Sequence, residues 1–520
     1  MIDSPRQSVL YGTALIFSGR MLNRFLGLGR EVLSAALFGS GRAMDSFNLA
    51  FTVVTSLRQS FAEQFLTPIV PTYFQRRKEG GEETALRSLN AVVTRLNLFA
   101  LIVSLLLLVF GRKIVILIAP GFDAQQINLS TILVRWFAIG AIAFILHRLY
   151  SGLHMCFFRY YVVSFSPLLM NVVVIGAMLL FARKYSVISL AAGFSLGYLA
   201  YFLMQAMLLP NRRALLTPHW RKGDTGALGY AQMLFPLFIA VGFEQAQLYI
   251  DRALATGLPP GTLSAQGYAL RIIRTSSEMW LASFGTVVFP VFSSLAASDK
   301  LEEFSRNFSL AIQAAMLFLF YSGTTIISQA IPLVRILLER GAFERQDTIL
   351  TAHLLNFYAV AYIAQAVWII ILRGFYAFGN TKTPVYATMF SMAVTILLDF
   401  LLVGPMGISG LALALAIGYS LNMVLAYVLF MKHIRKHDTL ETIKSILIGL
   451  AISCIIGFSI HECWAFFVAR QLFTGFLPSL VAFLLLSGAA ALAYFVALRA
   501  VRAPALEYVL NKIKQRRKKV

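Results

Sequence analysis

Apolar runs of about 20 residues recur along this chain from one end to the other, and a run of that length is what a helix needs to cross a bilayer. Of the 520 residues, 58% are hydrophobic and only 13% are charged, about half the charge of a soluble domain. The chain therefore reads as an all-α polytopic membrane protein with no sizeable soluble domain. Fourteen spans are expected, at 8–37, 45–74, 90–111, 127–155, 160–182, 186–209, 228–256, 262–297, 304–330, 347–377, 381–403, 407–431, 442–466 and 473–500. The opening segment, MIDSPRQSVLYGTALIFSGR, shows no small-residue cleavage site, so the first span is expected to be retained.

The net charge of +22 does not point to nucleic acid, because most of the excess lies in short loops and the tail. Alternate loops are basic: Arg76, Arg77, Lys78 and Arg87, then Arg159, then Arg212, Arg213, Arg221 and Lys222, then Lys300 and Arg306, then Lys382, then Lys432, Arg435, Lys436 and Lys444. The tail adds Lys512, Lys514, Arg516, Arg517, Lys518 and Lys519. The opposite set is about threefold poorer, which places both termini in the cytoplasm and agrees with an even number of spans. Cys156, Cys454 and Cys463 form neither a disulfide framework nor a metal spacing.

An internal repeat is visible at an offset close to 220. Thr67–Pro71 matches Thr286–Pro290, Arg87 matches Arg306, Gly121-Phe122 matches the Gly341–Phe343 turn, and Ile188-Ser189 matches Ile408-Ser409. Six spans per copy insert both copies in the same direction, related by an axis along the membrane normal with a cavity between them. The expected domains are an N-terminal lobe (1–215), a C-terminal lobe (216–436) and a last segment (437–520) holding spans 13 and 14 and the basic tail.

Within this apolar chain lie five arginines at membrane depth: Arg24, Arg30 and Arg58 in the first two spans, and Arg271 and Arg274 in the eighth. A guanidinium in hydrocarbon costs a few kcal/mol or more, so such residues face protein or a wet cavity. Fixed positive charge there requires an anion, and the guanidinium fork suits a pyrophosphate. Arg24 and Arg30 are six apart, on different azimuths of a regular helix; Gly27 and Gly29 between them suggest a bend or unwound turn that aims both inward. Snorkelling at an interface is the alternative for this pair. Arg271 and Arg274 share a helix face, which Glu278 continues. The acids Glu31, Asp45 and Glu63 accompany the arginines as cavity or gate groups. Glu63 is five residues from Arg58, a poor same-face spacing, and is expected to pair across helices. Asp45 opens the second span, where an N-cap role is expected. Structural ion pairs with Glu31, Glu63, Glu244 and Glu278 are the competing account of the arginines.

Asp251, Thr395 and Asp399 form a candidate oxygen-lined Na⁺ or H⁺ site, with Thr395 and Asp399 four apart on one helix. Against it, Asp251 can pair with Arg252, and Asp399 can sit near the outer interface. No phosphate-binding loop of the G-x-x-x-x-G-K-[ST] type and no H-E-x-x-H pattern is present. His147 and His154 fit packing better than metal ligation. Gly193–Gly197 is a G-x-x-x-G helix-packing pattern.

Several stretches resemble one family. They are N-R-F-L-G-L-G-R-E (23–31), D-S-F (45–47), L-R-Q-S-F-A-E (57–63), Y-A-L-R (268–271), E-R-G-A-F (339–343), F-Y-A-F-G-N-T-K-T-P (375–384) and G-P-M-G-I-S-G-L-A-L-A (404–414). They look like the MurJ/MviN family, lipid II flippases of the MOP exporter superfamily. The resemblance runs from about residue 10 to 430. It implies fourteen helices in two six-helix lobes plus a C-terminal pair, with alternating access driven by membrane potential or an ion gradient. It maps the family's cavity arginines onto Arg24, Arg30, Arg58 and Arg271, its acid near the first loop onto Asp45, and its sodium site partly onto Asp251 and Asp399. Asn23, Glu31 and Arg274 depart from the family's usual Ser, Asp and acid, and Arg274 makes the cavity more cationic.

The function expected is movement of the undecaprenyl-pyrophosphate-linked peptidoglycan precursor, lipid II, across a bacterial inner membrane by a monomeric transporter that is not an enzyme. The partners are the lipid-linked sugar pyrophosphate and membrane lipids, not nucleic acid; no cofactor is expected beyond Na⁺ or H⁺ coupling. The alternatives are a flippase for a capsular or O-antigen precursor and a non-transporting scaffold. A glycosyltransferase lacks a paired-acid motif in a sizeable loop.

Overall fold

A computed structural model describes residues 5–218, 241–242, 244–298, 300–432, 434, 439–470, 472, 475–504 and 506–507, and their side chains except those of 5–14, 17, 66–68, 276–287 and 439–441. Among these residues the elements are helices α1 (Pro5–Phe38), α2 (Arg42–Leu57), α3 (Glu63–Ile118), α4 (Ala124–Cys156), α5 (Tyr160–Tyr185), α6 (Val187–Met207) and α7 (Arg212–Leu216). A helical stretch, α8, covers 244–256. Then follow α9 (Thr262–Ala297), α10 (Leu301–Ser328), α11 (Ala330–Leu338), α12 (Arg345–Ala377), α13 (Lys382–Met406), α14 (Ile408–Met431), α15 (Thr439–Ala469) and α16 (Phe476–Ala500). The protein is an all-α polytopic membrane protein; among the described residues ten helices are long and apolar enough to cross a membrane. The basic tail and about half of the expected seventh span, 228–240 and 243, lie outside the described residues.

α2 runs into α3 through one π turn, Arg58–Ala62. α3 itself breaks at Gly80 and Gly81, whose φ values are −147° and +79°. The break divides it into two arms, so the stretch Arg42–Ile118 supplies two of the expected spans. Arg76, Arg77, Lys78 and Arg87 flank the break, as a loop between spans requires.

The repeat is present in the helix lengths. α4 and α12 are both 33 residues long and begin 221 positions apart. Their N-caps, Asp123 and Glu344, are both acidic. The turn before α6 and the turn before α14 share one backbone path: Ser186 has φ 47° and ψ −136°, and Gly407 has φ 57° and ψ −136°.

The chain divides into two compact units, Met1–Ser264 with Arg340–Phe343, and Ala265–Glu339 with Glu344–Val520. In the first unit α4 is the central helix. Its small residues allow close approach: a Cβ on Gly140 would lie 2.8 Å from Ser195 Cα of α6. The G-x-x-x-G pair serves packing as expected, since a Cβ on Gly197 would lie 2.8 Å from the Met170 carbonyl oxygen of α5. Phe47, Phe51, Phe137 and Phe194 stack between α2, α4 and α6, with Phe51 and Phe194 ring centroids 4.8 Å apart. His147 and His154 are buried and bonded to the carbonyls of Phe144 and Gln205, each at 2.9 Å, so both are packing residues. No cluster fit for a metal is present among the described residues.

In the second unit the last two helices dock on α10 and α11 through polar contacts. Gln329, fully buried, donates to Ser487 Oγ at 3.0 Å and accepts from Trp464 Nε1 at 2.8 Å. Tyr494 donates to the Leu317 carbonyl at 2.8 Å, and Tyr321 to that of Ser487 at 2.7 Å. Such bonds replace lipid at the interface of helices that are otherwise apolar all round.

Candidate functional site

The π turn decides what Arg58 does. A π turn closes on the fifth residue, and the Glu63 N–H donates to the Arg58 carbonyl. That brings position i+5 over position i, and Arg58 Nη1 meets Glu63 Oε1 at 2.8 Å. The i,i+5 spacing, poor in a regular helix, is thus a good same-face spacing here, which corrects the sequence expectation. Glu63 also pairs across helices as expected: Arg148 Nε of α4 lies 3.1 Å from its carboxylate. Two guanidinium groups share one carboxylate, and all three side chains are partly exposed, at 26%, 33% and 35% for Arg58, Glu63 and Arg148. The group carries one formal positive charge in excess.

Arg30 is held on three sides. It donates to Asn171 Oδ1 and to Glu31 Oε1, each at 2.8 Å, and its guanidinium lies 4.7 Å from the centroid of the Phe194 ring. Asn171 is itself fixed by donating to Asn23 Oδ1 at 2.8 Å. The unwound turn expected at Gly27 and Gly29 is absent: α1 continues through both. An isolated glycine costs a helix only about 1 kcal/mol, whereas freed backbone groups in hydrocarbon cost several, so the helix persists. Arg24 and Arg30 therefore stay about 120° apart in azimuth, and both are half-buried.

Asp45 does not cap its own helix; the cap position of α2 is Gly41, and Asp45 lies within the first turn. Its carboxylate instead receives the start of α9, accepting Gly261 N–H at 2.6 Å, Ser264 N–H at 2.7 Å and Ser264 Oγ–H at 2.5 Å. Two backbone N–H groups at a helix N-terminus and a hydroxyl are a better match for a buried carboxylate than one donor. Around it, short turns interlock. The Ala342 N–H donates to the Ala36 carbonyl at 2.8 Å, Ser40 Oγ donates to the Gly261 carbonyl at 2.9 Å, and Arg42 pairs with Asp123 at 3.3 Å. These turns border a cavity of about 190 Å³ lined by Arg42, Asp45, Asp123, Gln126 and Thr256.

In the second unit, Arg271 is half-buried, with its guanidinium 5.6 Å from the Tyr268 ring centroid, and Arg274 is exposed one turn on. The Glu278 side chain lies outside the described residues. Ser391, Thr395 and Asp399 are all buried on one face of α13, at 2%, 2% and 1% exposure. Asp251 of α8, in the first unit, is half-buried beside buried Arg252.

Sequence reading missed two residues. Arg148 lies inside an apolar span, the criterion that marked Arg58, and Arg373 lies in the last turns of the apolar helix α12. A scan for every arginine inside an apolar run finds both.

A family model described as "Lipid II flippase MurJ" matches residues 34–484. The "Probable lipid II flippase MurJ" of Thermotoga maritima is 28% identical over 415 residues, covering 79% of this chain and 83% of that protein. The "Lipid II flippase MurJ" of Burkholderia cenocepacia is 26% identical over 431 residues, covering 80% and 83%. A solved structure named "Lipid II flippase MurJ, inward closed conformation" matches with a TM-score of 0.77 at 22% identity, over 94% of this chain and 99% of that one. An inward-facing multidrug resistance MATE family transporter of the MOP superfamily matches with a TM-score of 0.65 at 13% identity, over 79% and 94%. The last two likenesses concern the fold. With most of its length matched by one family model, and with that fold, the chain belongs to the MurJ family.

Proposed function

We propose that this protein moves lipid II from the inner to the outer leaflet of a bacterial cytoplasmic membrane by alternating access. The observation that carries the reading is the excess guanidinium at Glu63: Arg58 and Arg148, both within expected spans, share one carboxylate. A cation left over at that depth calls for an anion, and a pyrophosphate on a lipid carrier supplies one without leaving the membrane. Arg24, Arg30 and Arg58 are the proposed substrate contacts of the first unit, and Arg271 and Arg274 those of the second. Glu31, Asp45 and Glu63 are the proposed gate acids. Thr395 and Asp399 are proposed ligands for a coupling Na⁺ or H⁺, and Asp251 is a further candidate to be tested on its own. The protein is proposed to act as a monomer with both termini in the cytoplasm.

The test is growth of a bacterial strain depleted of its own lipid II flippase. Expression of this chain restores growth, and Arg58→Ala at equal protein level does not. Failure of the unaltered chain to restore growth, at normal membrane abundance, overturns the lipid II reading.

A further inference from the structure

Arg373 differs from three other arginines of this protein's spans. Arg30, Arg58 and Arg148 each touch a carboxylate. Arg373 lies over the Phe289 ring of α9, 5.5 Å from its centroid, and its Nε is buried without a hydrogen-bond partner. Among the described residues no carboxylate or carbonyl pairs with it. An arginine in the last turns of a helix commonly reaches water or the terminal carbonyls. This one is half-buried against an aromatic face instead.

The seat is rigid. The next residue, Gly374, is pressed on α14: a Cβ there would lie 2.6 Å from Phe430 Cζ. Phe375 follows, fully buried, with its ring 4.8 Å from that of Phe430. Three residues beyond Phe289, Phe292 packs on Phe304 and Phe308 at 5.1 and 5.7 Å. Phe308 in turn lies 4.7 Å from Phe430. α9 and α12 are therefore pinned to one aromatic core, and the ring and guanidinium are presented from its edge.

The level is also distinct. Phe289 lies 18 positions beyond Arg271 on α9, or ~27 Å of helix, close to the ~30 Å thickness of a hydrocarbon core. Arg373 cannot share a phosphate with Arg271. It lies four residues before the end of α12, next to the turn that leads to Lys382, which the charge pattern assigns to the cytoplasm.

We propose that Arg373, seated on Phe289, is a first capture point for the phosphate of the lipid-linked substrate at the cytoplasmic end of the second unit. The inference rests on the flippase reading above. A guanidinium stacked on a ring keeps its in-plane N–H groups for two phosphate oxygens, a geometry an ammonium lacks. The ring fixes the plane, so less freedom is lost when the anion arrives. Bulk anionic phospholipid carries the same phosphate chemistry, so the test separates the two sources.

The experiment uses the full chain in nanodiscs, with lipid II and phosphatidylglycerol as probes and bound lipid counted by native mass spectrometry. Arg373→Gln and Phe289→Leu are compared with Arg58→Gln, each checked for a monodisperse, folded protein. Arg373→Gln should weaken lipid II retention about tenfold, the loss of one charged fork, and leave phosphatidylglycerol retention unchanged. Arg373→Lys should restore only part of it, and Phe289→Leu, which keeps an apolar side chain but removes the ring face, should show a smaller loss. Equal weakening of both probes overturns the proposal and leaves a bulk-lipid contact. Unchanged lipid II retention in Arg373→Gln, with a loss in Arg58→Gln, overturns it while the flippase reading stands. Absence of lipid II binding by the unaltered protein overturns both.

Discussion

Asp45 grips Ser264 twice through one oxygen: Oδ1 accepts both the backbone N–H at 2.7 Å and the side-chain hydroxyl at 2.5 Å. The two residues are 219 positions apart, and neither contact is open to water, since Asp45 and Ser264 are 2% and 0% exposed. The other oxygen takes Gly261.

Replacing Asp45 by Asn puts an N–H₂ group among three donors. Asp45→Asn should cost about 2 kcal/mol, the worth of hydrogen bonds to a charged acceptor. Ser264→Ala removes one of the three and should cost about 1 kcal/mol. Thermal unfolding of the purified protein should rank unaltered, Ser264→Ala and Asp45→Asn in falling order. Equal midpoints for Asp45→Asn and the unaltered protein would contradict the capping geometry.

The turns beside Asp45 meet backbone to backbone. A Cβ on Gly39, whose φ is +60°, would lie 2.1 Å from the Ala342 carbonyl oxygen, and one on Gly341 would lie 2.2 Å from that of Ala36. Gly39→Ala and Gly341→Ala should each abolish rescue of a flippase-depleted strain and lower the unfolding midpoint. Gly27→Ala is the control: a Cβ there meets nothing within 4 Å, and the helix should gain about 1 kcal/mol. Tolerance of alanine at Gly39 would show that the 36–45 and 340–343 turns need not close this tightly.

Glu63 neutralises half of a two-arginine pair. Glu63→Gln should leave two uncompensated guanidinium groups and cost about 1–2 kcal/mol, less than in a dry core because all three groups keep some access to water. Arg148→Gln should partly relieve that cost in the double variant, and the coupling is read from a double-mutant cycle of unfolding midpoints. Additive effects would mean that Glu63 serves only one arginine. On transport, Arg58→Lys should rescue little better than Arg58→Ala, since an ammonium offers no parallel pair of donors.

Much of this was legible in the residues. Apolar runs gave the helices long enough to cross a membrane, and the recurrence near 220 is matched by α4 and α12 at equal length. What was not legible depends on the path of the backbone. Nothing in R-Q-S-F-A announces a π turn, so Arg58 and Glu63 read as mismatched. Gly27 and Gly29 read as a hinge, but the demand that lipid makes on every peptide group outweighs a weak propensity. Asp45 read as a local cap because a partner more than 200 positions away is invisible to spacing. Arg148 and Arg373 were overlooked, not hidden.

Ser186 sits where its counterpart is Gly407, at φ 47° and ψ −136°, a region that a residue with a Cβ adopts at a cost of order 1–3 kcal/mol. Its side chain makes no bond among the described residues that would repay this; the contact at the turn is Ser189 Oγ to the Ser186 carbonyl, at 2.6 Å. Ser186→Gly should therefore stabilise the protein by about 1 kcal/mol, seen as a higher unfolding midpoint with unchanged transport. A lower midpoint would mean that the serine side chain holds the joint.

Phe158 and Gly379 show the same division, at φ 57° and 69° and 221 positions apart. In both pairs the earlier copy bends through a residue with a side chain and the later copy through glycine. The two copies thus share the backbone path of these corners and differ in the residues that take it. Kinship between the halves of such a transporter is better sought in the torsion angles of its corners than in the letters of its alphabet. A corner can change its residue and keep its angle.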